Sequence, residues 1–488
     1  MQVFSLKKFN GLLLLFIVLI IYSCKKEEID NPVPEEEIDS PVPEEVSQYQ
    51  NVNEWIQDNM NLLYLWNTQI PEKTDLTLYP SDFFKSLLYT EEDRFSFIAE
   101  DFAELTNLLN GVQMEAGYDY SLGYADKEGK NVFGIINYIK PHSSASLTDL
   151  KRGDIFLTIN GIQLTVDNYQ ELTDEMSAPH TLGVYRDGSI QSISLTVDKY
   201  EENPVLLDSI YEMGGEKIAY LIYNFFASDN GDYSYSYLKE LNDIFGKFKQ
   251  ANVSDMVLDL RYDTGGEADV ATSLASMISG RSSNDLFCVD QYNSTVDTEL
   301  KKELGSNYNK TFFDDYLIIR DENGTVINQS TPVNKLAGLQ RLYVLTSQRT
   351  ASASELIING LKPYMDVILV GDTTYGKNVG MWFIYETDPQ KQKDNRWGML
   401  PIVFKIYNSK NQSDYSKGFN PDMNINEYAG EILPLGDTNE SLLGAALVDM
   451  GVQSGNTFRS AKEKFDFKPL MTSVDRTPVR KNIYRKIP

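Results

Sequence analysis

The sequence predicts a multidomain protein in which an α/β core follows a mainly β domain and a small N-terminal helical domain. Its 488 residues are enough for about three domains of roughly 150 residues each. Between residues 201 and 455, runs of Val, Ile and Leu alternate with stretches of helical periodicity, as expected for strands covered by helices on both faces. With 42% apolar and 24% charged residues, the composition excludes collagen-like, disulfide-scaffold and fully disordered chains.

The core elements are predicted from where the apolar runs begin and end. Runs bounded by Gly and Asp indicate strands over residues 218–225, 256–260, 342–345 and 367–370. Helical periodicity indicates helices over residues 235–249, 268–278 and 353–361. Residues 286–336 are rich in Asn, Tyr and charge without clear periodicity, which predicts an insertion or cap. Functional residues are expected at the strand ends.

The first 48 residues are predicted to target and tether the chain. Two lysines precede an apolar run that ends at Ile21, and Ser23-Cys24 follows, a pattern that resembles the lipobox of bacterial lipoproteins. We therefore expect a lipoprotein signal peptide over residues 1–23 and acylation of Cys24; an unlipidated signal peptide or a simple anchor helix are the alternatives. Residues 24–48 are acidic and proline-rich, which favours an extended tether. The expected location is extracytoplasmic at a bacterial membrane, with the outer membrane favoured, facing the periplasm or the cell surface.

Charge and residue counts limit the chemistry. The net charge of −27 repels phosphate backbones, so nonspecific nucleic-acid binding is not expected. Only two histidines occur, which excludes a His-rich metal site and leaves His142 and His180 as the candidates for a histidine-based triad. Both are predicted to be solvated, His180 in a polar loop. With Cys24 acylated, Cys288 is the remaining free thiol, so no intramolecular disulfide is expected.

Two smaller domains are predicted ahead of the core. Over residues 49–111, apolar residues fall at helical spacing, including the stretch from Phe97 to Leu108, which predicts the helical domain. Residues 112–200 contain strand-like runs at 132–139 and 193–197, which predict the mainly β domain.

The mainly β domain carries a recognisable segment from Pro141 to Gly161. A short stretch of small residues, then Leu-Lys-Arg-Gly-Asp-Ile, then a strand ending in Asn-Gly resembles the signature of a PDZ domain. The resemblance implies that a polypeptide C-terminus binds by strand addition, with Gly117 and Tyr118 in the carboxylate-binding loop ahead of a strand at 119–124. A PDZ-shaped spacer with a filled groove is the alternative.

The first chemical motif ends a predicted core strand. Leu258-Asp-Leu-Arg-Tyr-Asp-Thr-Gly265-Gly266 places adjacent glycines between a strand and a helix. Paired glycines let backbone amides face a cavity without a Cβ in the way, as an oxyanion or phosphate site requires. A tight strand-to-helix turn explains the same pattern.

The second chemical motif is Ser352-Ala-Ser-Glu355, which opens a predicted helix and is followed by Gly371-Asp-Thr-Thr-Tyr-Gly-Lys377 after the next strand. Ser352 and Glu355 also fit a capping box, in which serine and glutamate satisfy the first amides of a helix. The segment from Gly371 to Lys377 has the glycine spacing of a Walker A loop. That reading fails because Asn378 replaces the Ser or Thr that holds Mg²⁺, and because a strand rather than a helix follows.

In this order, the motifs resemble those of the carboxy-terminal processing peptidases, a family of tail-specific serine proteases. The resemblance implies an endopeptidase in which Ser352 is the nucleophile and Lys377, 25 positions later, is the general base. It also implies that the amides of Ala353 and of Gly265 or Gly266 form the oxyanion hole. No cofactor and no metal are implied. The implied substrates are extracytoplasmic polypeptides with free C-termini.

A lysine acts as a base only when it is neutral. Lowering its pKa from about 10.4 to about 7 to 8 costs roughly 4 kcal/mol, which burial can supply. Tyr375, Val379 and Trp382 are expected to form that apolar wall.

One position departs from the family pattern. Family members commonly have a glutamine four residues after the lysine, whereas Met381 stands here and offers at best a weak sulfur acceptor. A catalytically silent peptide-binding protein of the same fold is therefore the alternative function.

The C-terminal tail, residues 456–488, differs from the rest of the chain in charge. It has nine Lys or Arg and three Asp or Glu, which predicts attraction to the acidic body or to anionic lipid.

Overall fold

The computed structural model describes residues 48–321, 325–336, 338–339, 341–454, 467, 469–476 and 484–485. The predicted signal peptide, Cys24 and almost all of the predicted tether lie outside the described residues. Within these ranges no helix has the length and apolar character needed to cross a bilayer. Helices and strands are numbered in chain order. The α-helices are α1 (Gln50–Leu63), α2 (Pro80–Ser86), α3 (Phe102–Leu109), α4 (Tyr169–Asp174), α5 (Ser236–Ala251), α6 (Ala268–Ser279), α7 (Ser294–Leu304), α8 (Ala353–Leu361) and α9 (Ser441–Asp449).

Six strands form the core sheet, in the order β10-β11-β12-β17-β18-β23. They are β10 (Val205–Met213), β11 (Glu216–Tyr223), β12 (Asp255–Asp259), β17 (Arg341–Thr346), β18 (Asp366–Gly371) and β23 (Met423–Asn424). All neighbours pair in parallel except β10, which forms an antiparallel hairpin with β11. The predicted α/β core is confirmed, and its predicted strands and helices agree with the observed bounds to within two residues.

Both faces of the core sheet are buried. Within β17, Leu342 and Val344 pack into the apolar cluster that contains α5, α6 and α8, whereas Tyr343 and Leu345 pack into the cluster that contains α9. Successive side chains of a strand point to opposite faces, so a strand covered on both sides reads as a continuous apolar run.

A five-stranded flanking sheet packs beside the core, in the order β14-β13-β22-β19-β25. Its strands are β13 (Leu286–Tyr292), β14 (Lys310–Phe312), β19 (Val379–Trp382), β22 (Ile402–Asn408) and β25 (Tyr484–Arg485). The prediction that residues 286–336 form an insertion or cap is wrong for β13 and β14. Phe287 and Cys288 of β13 are fully buried in the main core cluster, and the charged residues between 297 and 303 lie on α7, whose buried residues are Val296 and Leu300.

A third large sheet, called the small-domain sheet below, lies mainly within residues 118–195 and has its own apolar core. Its order is β24-β3-β4-β5-β7-β8, with β6 on β5. These strands are β3 (Tyr118–Tyr124), β4 (Val132–Ile139), β5 (Ile155–Ile159), β6 (Ile162–Gln163), β7 (His180–Arg186), β8 (Ser189–Leu195) and β24 (Met471–Thr472). A separate ribbon of β2 (Val112–Glu115) and β9 (Asp198–Glu201) lies where the chain enters and leaves this region.

The N-terminal region is helical, as predicted, but it has no core of its own. Ile56 and Met60 of α1 and Phe83 of α2 pack into the same cluster as the core sheet. The helical spacing predicts a helix at Phe97, whereas in the structure Phe97 begins β1 (Phe97–Ala99), which pairs with β21 (Gly398–Leu400). Strand pairing with a distant segment overrides the local helical spacing. Two further small sheet segments are β15 (Ile319–Arg320) with β16 (Val326–Asn328), and β20 (Ile384–Tyr385) on β21.

Candidate active site

Three loops at one edge of the core sheet carry the predicted site residues. Because β12, β17 and β18 are parallel neighbours, their C-terminal ends lie at the same edge. Gly265 and Gly266 follow β12, Ser352 follows β17, and Lys377 follows β18. The fold therefore brings the two sequence motifs to one place.

Ser352 stands at the turn into α8 in a backbone conformation that L residues rarely adopt, with φ of 64° and ψ of −110°. The residue is 1% exposed and forms a capping box with Glu355 at the start of α8. Such strain costs on the order of 1–3 kcal/mol and is concentrated at functional sites. Ala353 is the first residue of the helix, where backbone amides lack acceptors within the helix.

Glu355 connects the serine loop, which carries Ser352 between β17 and α8, to the lysine loop, which carries Lys377 between β18 and β19. Its Oε2 accepts the backbone amides of Ser352 at 2.9 Å and Lys377 at 2.8 Å. Its Oε1 accepts the Thr374 hydroxyl at 2.6 Å and the Gly376 amide at 2.7 Å. Burial raises the pKa of Glu355, and these four donors oppose the rise. The predicted capping glutamate is thus the clamp that holds both loops, a role that the capping pattern alone did not reveal.

Lys377 is completely buried. Its Nζ lies 3.6 Å from the sulfur of Met381 and 5.0 Å from the centre of the Phe95 ring. Burial lowers the pKa of Lys377 well below its usual range, and the carboxylates of Asp93 and Glu355 only partly oppose this. The expected wall residues Val379 and Trp382 are buried nearby in β19, while Tyr375 packs its ring on Phe95 at 5.8 Å.

The N-terminal region contributes residues that sequence reasoning missed. Arg94 donates to the Gly376 carbonyl at 3.2 Å and to the Ser416 carbonyl at 3.0 Å. Asp93 accepts the Tyr64 hydroxyl at 2.8 Å, which anchors the segment that presents Phe95. No local motif marks these residues, since their role depends on contacts across most of the chain.

The two motifs also meet through Asp263. Its Oδ1 accepts the Gly265 amide and the Ser354 hydroxyl, both at 2.8 Å. A Cβ on Gly265, which has φ of 110°, would lie 2.7 Å from the Cβ of Ser352. The Gly265 amide is therefore engaged by Asp263. The Gly266 carbonyl accepts the Tyr484 amide at 3.1 Å.

Gly117 and Tyr118 lie at the start of β3, next to a cavity of about 270 Å³ between the small-domain sheet and the core. Gly117 has φ of 85°, and its carbonyl accepts the Lys140 amide at 2.9 Å. Thr264, one residue before Gly265, lines the same cavity. The cavity therefore extends from the predicted carboxylate-binding loop to the glycine loop.

A buried ion pair joins the small-domain sheet to the serine loop. Arg349 contacts both oxygens of Asp119 at 2.7 Å. Burial raises the pKa of Asp119, but the Arg349 guanidinium outweighs this and holds it below its usual range. Arg349 is three residues before Ser352.

The histidines lie away from the three loops, and one prediction about them is wrong. His142 is exposed, as expected. His180 is only 4% exposed and begins β7 rather than lying in a loop. Its Nε2 pairs with the Tyr118 hydroxyl at 2.8 Å, and burial lowers its pKa. The His180 side chain is therefore a buried, hydrogen-bonded part of the small-domain sheet.

Comparison with known proteins identifies the family of the chain. The family model described as "Peptidase family S41" matches residues 217–425, and that described as "Peptidase S41 N-terminal domain" matches residues 51–97. A crystal structure from Bacteroides fragilis NCTC 9343 that is assigned to the S41 proteases superposes with a TM-score of 0.64 at 29% identity, covering 82% of this chain and 98% of that one. The chain belongs to peptidase family S41.

Two relatives are named as processing enzymes. The chloroplastic carboxyl-terminal-processing peptidase 1 of Arabidopsis thaliana is 23% identical over 253 residues, covering 49% of this chain and 42% of that protein. The carboxyl-terminal-processing protease of Picosynechococcus sp. is 24% identical over 245 residues, covering 49% of each. The chain spans about half the length of these relatives.

Proposed function

We propose that the chain is a serine endopeptidase with a Ser352-Lys377 dyad that cleaves extracytoplasmic polypeptides near their C-termini. The observation that carries the proposal is the pair of hydrogen bonds by which Glu355 holds the backbones of the serine and the lysine on one carboxylate oxygen. A nucleophile and its base must be held at a fixed distance and orientation. The buried carboxylate of Glu355 holds them through their backbone amides, so both side chains stay available for catalysis.

The proposed reaction begins with the neutral Lys377 amine. Ser352 Oγ attacks the substrate carbonyl carbon while its proton passes to Lys377 Nζ, which becomes an ammonium. The ammonium then returns the proton to the departing amine as the peptide C–N bond breaks and an acyl-serine forms. Water then attacks the ester carbonyl while one of its protons passes to Lys377 Nζ, and the ammonium returns that proton to Ser352 Oγ as the acyl C–O bond breaks. The lowered pKa of Lys377 supports this role, since burial disfavours its charged form.

The proposed oxyanion hole consists of the amides of Ala353 and Gly266. The Gly265 amide is engaged by Asp263, which favours Gly266 among the two glycines. Backbone donors fixed in place cost little reorganisation when the negative charge develops on the substrate oxygen.

Substrate recognition is proposed to begin at Gly117 and Tyr118, in the manner of a PDZ domain. The cavity that links these residues to Thr264 supports a route from the small-domain sheet to the glycine loop. A free-acid peptide is then expected to be cut roughly ten- to a hundredfold better than its amide at low concentration, because charged hydrogen bonds of about 1.5–3 kcal/mol are lost on amidation.

The decisive experiment is incubation of the tag-free protein with an unstructured polypeptide, followed by mass spectrometry of the products. Ser352→Ala and Lys377→Met are each expected to lower hydrolysis by at least about a thousandfold with unchanged thermal unfolding cooperativity. His142→Ala and His180→Gln are expected to retain it, and chelators are expected to have no effect. Hydrolysis that requires a histidine or a metal would rule out the proposed dyad.

A catalytically silent peptide-binding protein is the second candidate. The contact of Lys377 Nζ with the Met381 sulfur favours it, because a thioether orients an amine weakly. Binding of peptides without any Ser352-dependent cleavage would establish this alternative.

The location is proposed separately. The Ser23-Cys24 pattern supports acylation of Cys24 and attachment to a bacterial membrane, with the outer one favoured. Stable anchoring requires more than one acyl chain. Cys24→Ser is expected to release the protein from the membrane fraction of its host, and recovery of the wild type as a soluble, unacylated protein would refute the anchor.

A further inference from the structure

The described parts of the C-terminal tail occupy two strand positions on the molecule. The first is the free edge of the small-domain sheet. There β24 pairs antiparallel with β3, with Met471 opposite Leu122, and the Leu470 amide donates to the Leu122 carbonyl at 2.7 Å. Phe467 packs against β3 at Gly123, where a Cβ would lie 2.1 Å from its ring.

The second position lies beside the candidate active site. Tyr484 of β25 is opposite Met381 of β19, the residue whose sulfur contacts Lys377 Nζ. On the other side, the Tyr484 amide donates to the carbonyl of Gly266. Tyr484 is 5% exposed. Tyr484 of the tail thus lies between Met381 of β19 and Gly266 of the proposed oxyanion hole.

Charged and polar contacts hold both positions. Arg485 donates to Asp290 at 2.9 Å and to Asp269 at 3.1 Å. The Ser473 hydroxyl donates to Asp119, the carboxylate that also pairs with Arg349. The opposite charges of the basic tail and the acidic body explain why a segment with only two-residue strands docks here.

We propose that the C-terminal tail, through residues 467, 469–476 and 484–485, is a competing ligand of the peptidase site. It takes both strand positions that an extended polypeptide would use, and this proposal rests on the proposed function. A sheet edge accepts one strand at a time, so a substrate pairs with β3 or with β19 only when the tail has left. Because main-chain pairing tolerates many side chains, the competing substrates are extended, unfolded polypeptides.

Two variants of the full chain weaken the tail at different ends. Arg485→Glu reverses the charge facing Asp290 and Asp269, and Leu470→Pro removes the amide that bonds to Leu122. Lys410→Glu makes the same change in net charge as Arg485→Glu at an exposed turn after β22, and serves as the matched control.

Two readouts separate this proposal from the proposed function. The first is binding of fluorescent β-casein, an unfolded polypeptide, to each variant in a Ser352→Ala background by anisotropy. The second is the KM for β-casein hydrolysis with Ser352 intact. We expect Arg485→Glu and Leu470→Pro to bind at least about fivefold more tightly and to lower KM by a similar factor, while Lys410→Glu changes neither. A synthetic peptide of residues 467–488 is expected to reverse the gain competitively.

Tighter binding without hydrolysis by any variant would support the tail as a ligand and refute the peptidase. Hydrolysis with unchanged KM and unchanged binding in both tail variants would overturn the tail proposal alone. Weaker binding in folded tail variants would also overturn it, since the tail would then form part of the polypeptide site. Thermal unfolding of each variant, measured first, shows whether it is folded; if either is not, inhibition of the wild type by the synthetic peptide decides.

Discussion

The side-chain nitrogen of Lys377 lies 3.6 Å from the sulfur of Met381, four residues further along the chain. A sulfur acceptor gives a long, weak hydrogen bond, so it constrains the direction of the amine lone pair less than an amide oxygen does. Both groups are fully buried, so solvent does not supply a better partner at this contact. The proposed base is thus well desolvated but weakly oriented by this neighbour.

Replacement of Met381 by glutamine is expected to raise kcat about tenfold, because the amide oxygen would orient the lysine nitrogen. Met381→Leu, which fills similar volume without an acceptor, is the control and is expected to change kcat by less than about threefold. Steady-state kinetics on one peptide measure both. A lower kcat for Met381→Gln than for Met381→Leu would show that the methionine does not limit orientation.

The pH dependence of cleavage is expected to follow Lys377. Burial holds its pKa well below its usual range, so the rate rises with pH as the amine loses its proton and reaches a plateau well before pH 10. Lys377→Arg is expected to be inactive throughout, because a guanidinium does not deprotonate in this range. A wild-type kcat/KM that still climbs tenfold per unit near pH 10 would contradict a buried lysine base.

Glu355→Gln tests the clamp between the two loops. A carboxylate accepts all four donors, whereas a glutamine turns an NH₂ group toward some of them, so we expect a loss of about 2–4 kcal/mol of stability and at least about a hundredfold in kcat. Glu431→Gln, at an exposed site, is the control. Chemical denaturation and kinetics would be measured on both proteins. Near-wild-type kcat in Glu355→Gln would show that the loops are held by other contacts.

Gly265→Ala separates crowding of the serine from ordinary backbone strain. The new Cβ would lie 2.7 Å from the Ser352 Cβ, so we expect kcat to fall about a hundredfold through displacement of the nucleophile. Gly161→Ala has a similar positive φ with nothing within 4 Å, and is expected to cost only about 1 kcal/mol in stability with kcat unchanged. Equal reductions of kcat in Gly265→Ala and Gly161→Ala would show that contact with Ser352 is not the cause.

The sequence was most informative where local chemistry fixes local structure. Ser352 and Lys377 each follow a buried parallel strand, and parallel strands end at a common edge, so periodicity predicts that both lie at that edge. Their pairing as nucleophile and base is what the family resemblance implies. The sequence does not indicate that Asp263 engages the Gly265 amide, because this contact depends on the folded shape of the loop.

Contacts between distant segments account for the rest. Phe95 reaches the lysine pocket from the N-terminal region. The sequence around β13 has the pattern of an insertion because its partner β22 lies more than a hundred residues away. The polar neighbours of His180 predict a loop, although one face of β7 is buried. None of these features has a local signature.

The ion pair of Asp119 with Arg349 makes the sheet that carries Gly117 and the turn that carries Ser352 thermodynamically linked. Separating these two buried charges costs much free energy, since each would then be desolvated and without its partner. Any polypeptide whose binding at β3 shifts Asp119 therefore changes the free energy of the serine turn, and by reciprocity the proposed acylation of the serine would change the affinity at β3 by the same factor. Polypeptide binding at β3 and the proposed reaction at Ser352 would therefore be thermodynamically coupled.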